Sequence, residues 1–136
     1  MIETSVTIRI PFHHVDVMAM AWHGHYVKYF EEARDALLDR IGYNYLEMRA
    51  SGYVWPVIDM RIKYIKPVEL GGSIRVQASL AEYENRLKIE YLITDPSTGA
   101  RLTTGYTSQV AVHLESKEMR LVSPDILFQK LGVAVP

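Results

Sequence analysis

The stretch VDVMAMAWHGHYVKYFEEAR, residues 15 to 34, places one acid and two histidines ahead of a helical pattern. Asp16 stands among Val15, Val17, Met18, Ala19, Met20 and Ala21. An apolar surround of that kind raises a carboxyl pKa and strengthens the carboxylate as a base. Such a group serves as a nucleophile or as a general base. The helical pattern opens near His23, and the first N–H groups of a helix lack intrahelical partners while its dipole favours negative charge. No Ser, Thr, Asp or Asn sits just before it as a cap, so those donors are free to hold the oxygen of a carbonyl under attack. The alternative use of Asp16 is structural, capping a turn through neighbouring backbone.

These groups need elements to position them. Residues 2 to 12 alternate, with Ile2, Thr4, Val6, Ile8, Ile10 and Phe12 against Glu3, Thr7 and Arg9. That is the period of a half-buried strand, with Pro11 at its end or on an edge. From His23 to Ile41 the period changes, and Tyr26, Tyr29, Phe30, Ala33, Leu37 and Ile41 recur at three and four. This predicts an amphipathic helix of about five turns stopped by Gly42. Asn44 caps a short helix from Tyr45 to Ser51, which Gly52 ends. Strands are predicted over 53 to 66, 73 to 84, 87 to 95 and 101 to 115, with a short return strand over 119 to 122. Their tight connections make them antiparallel neighbours, a meander. A last helical piece covers 123 to 132, with Ser123 as cap and Pro124 at its first position. The sum is an α+β fold in one domain over residues 1 to 136, a single antiparallel sheet with one long helix on its concave face. One helix leaves the far face and the edges uncovered, which predicts a homodimer or homotetramer.

Composition narrows the classes. Net charge is −1 without a basic stripe, which argues against nucleic-acid binding. The absence of cysteine excludes disulfides and a cysteine nucleophile, and fits a reducing, cytoplasmic setting. The alternating start with Glu3 does not read as a signal peptide, and no run is long enough to span a bilayer. No G-x-S-x-G, P-loop or dinucleotide fingerprint occurs.

Segment 12 to 34 resembles the hot-dog-fold acyl-coenzyme A (CoA) thioesterases of the hydroxybenzoyl-CoA type. That family carries an acid, a short turn, an apolar stretch, a Tyr or His, two residues, then a Tyr opening the helix. Here these are Asp16, VMA, MAW, His23, Gly24-His25 and Tyr26, continued by YFEEAR through Phe30, Glu31, Ala33 and Arg34. Further on, IDMRIKYIKPVELGGSIRV resembles the second signature, a strand, Tyr-x-x-Pro, a Gly or Asp turn and the next strand. The resemblance covers nearly the whole chain in order and spacing. It implies a hot-dog fold, a long central helix wrapped by a single antiparallel sheet of five to six strands. It also implies hydrolysis of acyl-CoA or acyl carrier protein thioesters to free acid and thiol, without a cofactor. Asp16 then takes the catalytic position and the His23 N–H the oxyanion donor position. Two positions depart from the family: His14 replaces a second acid, and Ala19 replaces a glycine, where Ala tolerates positive φ poorly.

The His23 side chain orients Asp16 or the leaving thiolate, or only begins the helix. Trp22, Gly24, Tyr26, Asp59 and Met60 are candidates for binding the acyl group, with core packing as the alternative for Tyr26 and a structural hydrogen bond for Asp59. Trp22, Trp55 and the methionines at 18, 20 and 60 predict an adaptable apolar pocket that suits aryl or fatty acyl groups. Arg86 and Lys88, on a hairpin shared with Glu82 and Glu84, are candidates for the CoA nucleotide. The mixed charge leaves a carrier protein open as the handle, and Arg61, Lys63 and Lys66 offer another entrance. His13 and His14 point to opposite faces of a strand, and His23-x-His25 with Asp16 has poor geometry for zinc, so no metal site is expected. A dehydratase or hydratase of the same fold, and a non-catalytic acyl-binding module, are the competing classes.

Overall fold

A computed structural model describes residues 2 to 136 of the chain. β1 (Glu3–Arg9) turns Thr4, Val6 and Ile8 towards the core and leads through a single 3₁₀ turn, Phe12–His14. A second 3₁₀ turn, His23–His25, opens α1 (Tyr26–Arg40). The predicted helix therefore begins as a tighter turn. Tyr26, Tyr29, Phe30, Ala33, Leu37 and Leu38 form its buried face. It ends where Gly42 takes φ +72°, with the Tyr43 N–H on the Leu38 carbonyl at 3.0 Å and the Gly42 N–H on Asp39 at 3.0 Å. Two carbonyls left over by the helix are thereby satisfied, and the left-handed position needs glycine. α2 (Tyr45–Ala50) is capped by Asn44, whose Oδ1 accepts the Glu47 N–H at 3.0 Å.

The first predicted strand after α2 is two. Pro56 separates β2 (Tyr53–Val54) from β3 (Val57–Tyr64). Then follow β4 (Ser73–Glu82), β5 (Leu87–Thr94), β6 (Arg101–Gln109) and β7 (Val112–His113), with α3 (Asp125–Leu131) last. The main sheet is antiparallel in the order β1-β4-β5-β6-β3, and β2 pairs with β7. Only β4, β5 and β6 form the expected meander. β3 lies across the sheet from β4 because the connecting segment, 65 to 72, is engaged elsewhere. The Ala21 N–H bonds to the Val68 carbonyl at 2.6 Å, Met20 bridges Glu69, and the Leu70 N–H bonds to the Ala19 carbonyl at 3.0 Å. Met119 makes one isolated bridge to Val112 and no return strand follows. Ser123 does not cap α3. Its N–H is drawn to the Glu84 carbonyl at 2.8 Å, and Pro124 occupies the cap position.

α1 lies across the inner face of the sheet, against β1, β4 and β5. Phe30, fully buried, stacks on Tyr91 with ring centroids 4.3 Å apart at 6°. Gly105 makes room for this stack, since a Cβ there would meet the Arg61 carbonyl oxygen and the Phe30 ring, 2.7 Å from its Cε2. The outer face corrects one expectation. Register places Ser5, Thr7, Arg75, Gln77, Glu90 and Thr104 on it, a polar surface that water already solvates. The demand for a partner arises instead at the edge, where β3 is exposed along almost its whole length. Among the described residues no helix is long and apolar enough to cross a membrane.

Candidate active site

Asp16 begins a three-residue hairpin loop. Its N–H bonds to the Met20 carbonyl at 2.8 Å, and its carbonyl accepts the Ala19 N–H at 3.0 Å. A loop of this length closes with a turn followed by one left-handed residue. Ala19 fills that place with φ +58°, so the turn that the family builds with glycine is kept with alanine, at a cost of about 1 kcal/mol. The Asp16 side chain serves the turn as well. Oδ1 accepts the Met18 N–H at 2.8 Å and the Met20 N–H at 3.4 Å. The structural use of the carboxylate is thus real, but it engages one oxygen. Among the described residues Oδ2 has no hydrogen-bond partner.

The return arm of the hairpin runs from Met20 through Ala21, paired with Val15, to Trp22, whose N–H bonds to the His14 carbonyl at 2.8 Å. The next residue is His23, at the head of the turn that opens α1. Among the described residues no side chain caps that turn, and neither the His23 nor the Gly24 N–H meets a carbonyl outside it. The Tyr64 hydroxyl donates to the His23 carbonyl at 3.4 Å, a contact that ties β3 to the helix start. Tyr64 belongs to the Tyr-x-x-Pro signature, which was the available signal for it. The Trp22 ring lies against Gly24, so a Cβ there would have to turn that half-exposed ring aside.

Asp16 is exposed, which corrects the expectation of a desolvated acid. The neighbours expected to bury it, Val17 and Met18, point outwards at 104% and 70% exposure, so one chain does not assemble the apolar surround. A cavity of about 650 Å³ lies away from it, between the second half of α1 and the start of β3, lined by Arg34, Leu38, Trp55 and Val57 among others. Tyr26 is buried, its hydroxyl accepting the Val68 N–H at 3.3 Å, which fits core packing. Trp22 is half exposed beside the helix start. Met60 and Asp59 point to opposite faces of β3, and Asp59 receives the Tyr106 hydroxyl at 3.1 Å on the outer side. Arg86 pairs with Glu82 at 2.7 Å, and Lys88 sits over the Tyr106 ring at 4.5 Å. The structure therefore joins Asp16, Trp22, His23 and Gly24 in one region and leaves Asp59, Met60, Arg86 and Lys88 on other surfaces.

Behind the hairpin lies a cluster that sequence reasoning separated. His13 and His14 fall in a 3₁₀ turn rather than a strand, so their rings touch edge to face, centroids 4.6 Å apart. His14 Nδ1 pairs with the buried Tyr29 hydroxyl at 3.0 Å, and its ring stacks on His25 at 4.3 Å. Among the described residues no three His, Asp or Glu side chains are placed to hold a metal. Burial, reinforced by neighbouring cations, lowers the pKa of both His14 and His25 below the ordinary 6.5, and burial pushes the Tyr29 phenol up to about 12. An imidazole lowered in the folded state is protonated first in the unfolded chain, so stability falls as pH drops below about 6.5. Denaturant midpoints between about pH 8 and pH 5 should decline, and a His14→Phe, His25→Phe variant should flatten that decline. An unchanged slope in the variant would remove this pair as the cause.

A profile of the thioesterase-like superfamily matches residues 10 to 129. The chain belongs to that superfamily. Its sheet order and central helix are those of the hot-dog fold, and it is a thioester hydrolase. The Bacillus subtilis protein named "Putative acyl-CoA thioesterase YneP" is 28% identical over 110 residues, 80% of this chain and 79% of that one. A Synechocystis protein named "Putative esterase sll0410" is 28% identical over 121 residues, 88% of this chain and 73% of that one. The crystal structure of a DHNA-CoA thioesterase from Staphylococcus aureus superposes with a TM-score of 0.83 at 26% identity, covering 97% of this thioesterase and 87% of that chain.

Proposed function

We propose that this thioesterase hydrolyses acyl-CoA thioesters with Asp16 as general base and the His23 N–H as oxyanion donor. The observation that carries the reading is the division of labour at Asp16. Oδ1 is fixed by the turn, which orients the carboxylate, and Oδ2 is presented unpaired at the end of a hairpin whose other arm runs directly into an uncapped helix start. A carboxylate so placed takes a proton from water as the water attacks the thioester carbon. The carbonyl oxygen, gaining charge, is held by the donors at His23 and Gly24. Collapse of the tetrahedral intermediate expels the thiolate, which takes the proton back from Asp16, so the products are free acid and thiol and the carboxylate is restored. The unpaired oxygen stands on an exposed loop where water reaches it, which favours the general-base route over direct attack. Turnover in heavy-oxygen water separates the two, since only an acyl-Asp16 anhydride can leave label in the carboxylate.

The relatives named for CoA substrates support CoA as the handle. Arg86, at the exposed β4–β5 hairpin, is our candidate for its phosphates, and it is already held in place by Glu82. Arg86→Ala should raise KM for acyl-CoA several-fold while kcat stays nearly unchanged, because a grip on distant phosphate is felt equally in ground and transition states. Steady-state kinetics on a panel of aryl and fatty acyl-CoA esters reads this and the acyl preference together. A loss confined to carrier-protein substrates would assign the hairpin to protein docking instead. The working form is a homo-oligomer, because the apolar surround that Asp16 lacks in one chain has to come from another.

A further inference from the structure

We infer that His14 is a positioning residue which, as a neutral imidazole, clamps the foot of the Asp16 hairpin to the start of α1. Its effect on turnover rests on the assignment of Asp16; the clamp itself does not. His14 stands where the resembled thioesterases carry a second acid, so the device belongs to this chain.

The residue engages two elements at once. Its carbonyl accepts the Trp22 N–H at 2.8 Å, closing the hairpin below the Val15–Ala21 bridge and the bond from the Asp16 N–H to Met20. Its ring leaves the hairpin for the helix. Nδ1 meets the Tyr29 hydroxyl at 3.0 Å, and the ring stacks on His25 with centroids 4.3 Å apart at 13°. His25 is the cap residue of α1, and the Trp22 ring stands edge-on to it at 5.5 Å. The return arm of the hairpin is joined to α1 by the chain itself. The arm that carries Asp16 reaches α1 through His14. The bonds from Ala21 to Val68 and from Leu70 to Ala19 tie the hairpin to segment 65 to 72 instead. The imidazole contacts therefore set how the carboxylate faces the donors at His23 and Gly24.

Hydrogen bonding fixes the protonation state of the clamp. Tyr29 is buried, its phenol is pushed up to about 12, and His14 is its sole side-chain hydrogen-bond partner among the described residues. The hydroxyl therefore donates, His14 Nδ1 accepts, and the imidazole proton sits on Nε2. A second proton, on Nδ1, would reverse that bond and leave the Tyr29 O–H buried without an acceptor. His25 is held in the same way, since its Nδ1 is buried with no partner and a proton there would be orphaned. Lys28 on α1 and His13 on the same turn oppose added charge on the stack, while Tyr26 and Glu32 bear on Tyr29. Among the described residues no carboxylate lies within ion-pair distance of either imidazole. Both rings accordingly charge only below pH 6.5, and the clamp should loosen there.

Amide exchange tests the clamp without reference to activity. His14→Phe keeps a ring but no acceptor, and at about pH 8 its Trp22 and Asp16 N–H groups should lose protection on the order of tenfold or more. His14→Asn places Oδ1 where Nδ1 stands and should return protection to within about threefold of the parent. Kinetics on an acyl-CoA ester tests the consequence. kcat should fall on the order of tenfold or more in His14→Phe and return to within about threefold in His14→Asn, with KM nearly unchanged in both. Asn does not titrate, so the loss of kcat that the parent shows below pH 6.5 should move to lower pH in His14→Asn. Parental protection or parental kcat in folded His14→Phe, an Asn variant no better than Phe, or an acid limb that stays in place would each overturn the role of His14. Should His14→Phe fail to fold, Tyr29→Phe removes the same hydrogen bond from the helix side and is read by the same two measurements. If Asp16→Asn kept parental turnover, the kinetic consequence would fall with the assignment of Asp16, and exchange would still decide the clamp.

Discussion

Asp16→Asn should lower kcat by a factor on the order of a hundred to ten thousand, the usual worth of a general base. The substitution is informative because of how the carboxylate is held. Asn presents a carbonyl oxygen that accepts the Met18 and Met20 N–H groups as Oδ1 does now, so the hairpin and its left-handed Ala19 should persist. What is lost is the unpaired Oδ2, replaced by an NH₂ that cannot take a proton from water. Folding, oligomeric state and KM should therefore stay close to the parent, and the whole effect should fall on kcat. Saturation kinetics on an acyl-CoA ester, read beside a thermal melt, checks both halves. Parental turnover in the variant would remove Asp16 from the chemistry and leave it as a turn cap. Equal loss of kcat and of melting temperature would point to a damaged hairpin.

The hairpin shows which part of the reading of Asp16 the fold keeps and which it changes. Spacing from Asp16 to His23 and Tyr26 is a one-dimensional signal, and the chain folds that segment as the spacing requires. Burial of Asp16 was read from its apolar neighbours, and that inference fails within one chain because Val17 and Met18 form the tip of a tight loop and both point outwards. Local periodicity also gave α1 and its glycine stop, since an amphipathic helix declares its buried face along the sequence. Strand order was not legible. It depends on segment 65 to 72 bonding to residues 19 to 21, a long-range pairing with no periodic trace. The contact of His14 with Tyr29 was hidden for a similar reason. His13-His14 reads as alternating strand, and only the 3₁₀ turn brings the two rings together, with His14 against Tyr29 of the helix.

The largest stability loss should follow Phe30→Ala. Phe30 has no exposed surface, stacks on Tyr91 of β5, and fills the space that Gly105 leaves open on β6. It thus holds α1 to the middle of the sheet. Truncation removes the ring's transfer energy and leaves a cavity that cannot collapse, because the sheet behind it is fixed by hydrogen bonds on both sides of β5 and β6. A cost of about 3–5 kcal/mol is expected, a large part of the stability of a domain this size. Gly105 supplies the converse test. Gly105→Ala drives a methyl into the Arg61 carbonyl and the Phe30 ring, and overpacking of that kind costs about 1–3 kcal/mol. In the Phe30→Ala background the ring is gone and only the backbone collision remains, so the second substitution should cost less than it does alone. Denaturant unfolding of the two single variants and the double closes this cycle. Strict additivity would mean that the Arg61 carbonyl, not the ring, is what keeps position 105 glycine. The residual cost should then appear as release of β3, which carries Asp59, Met60 and Arg61, from β6.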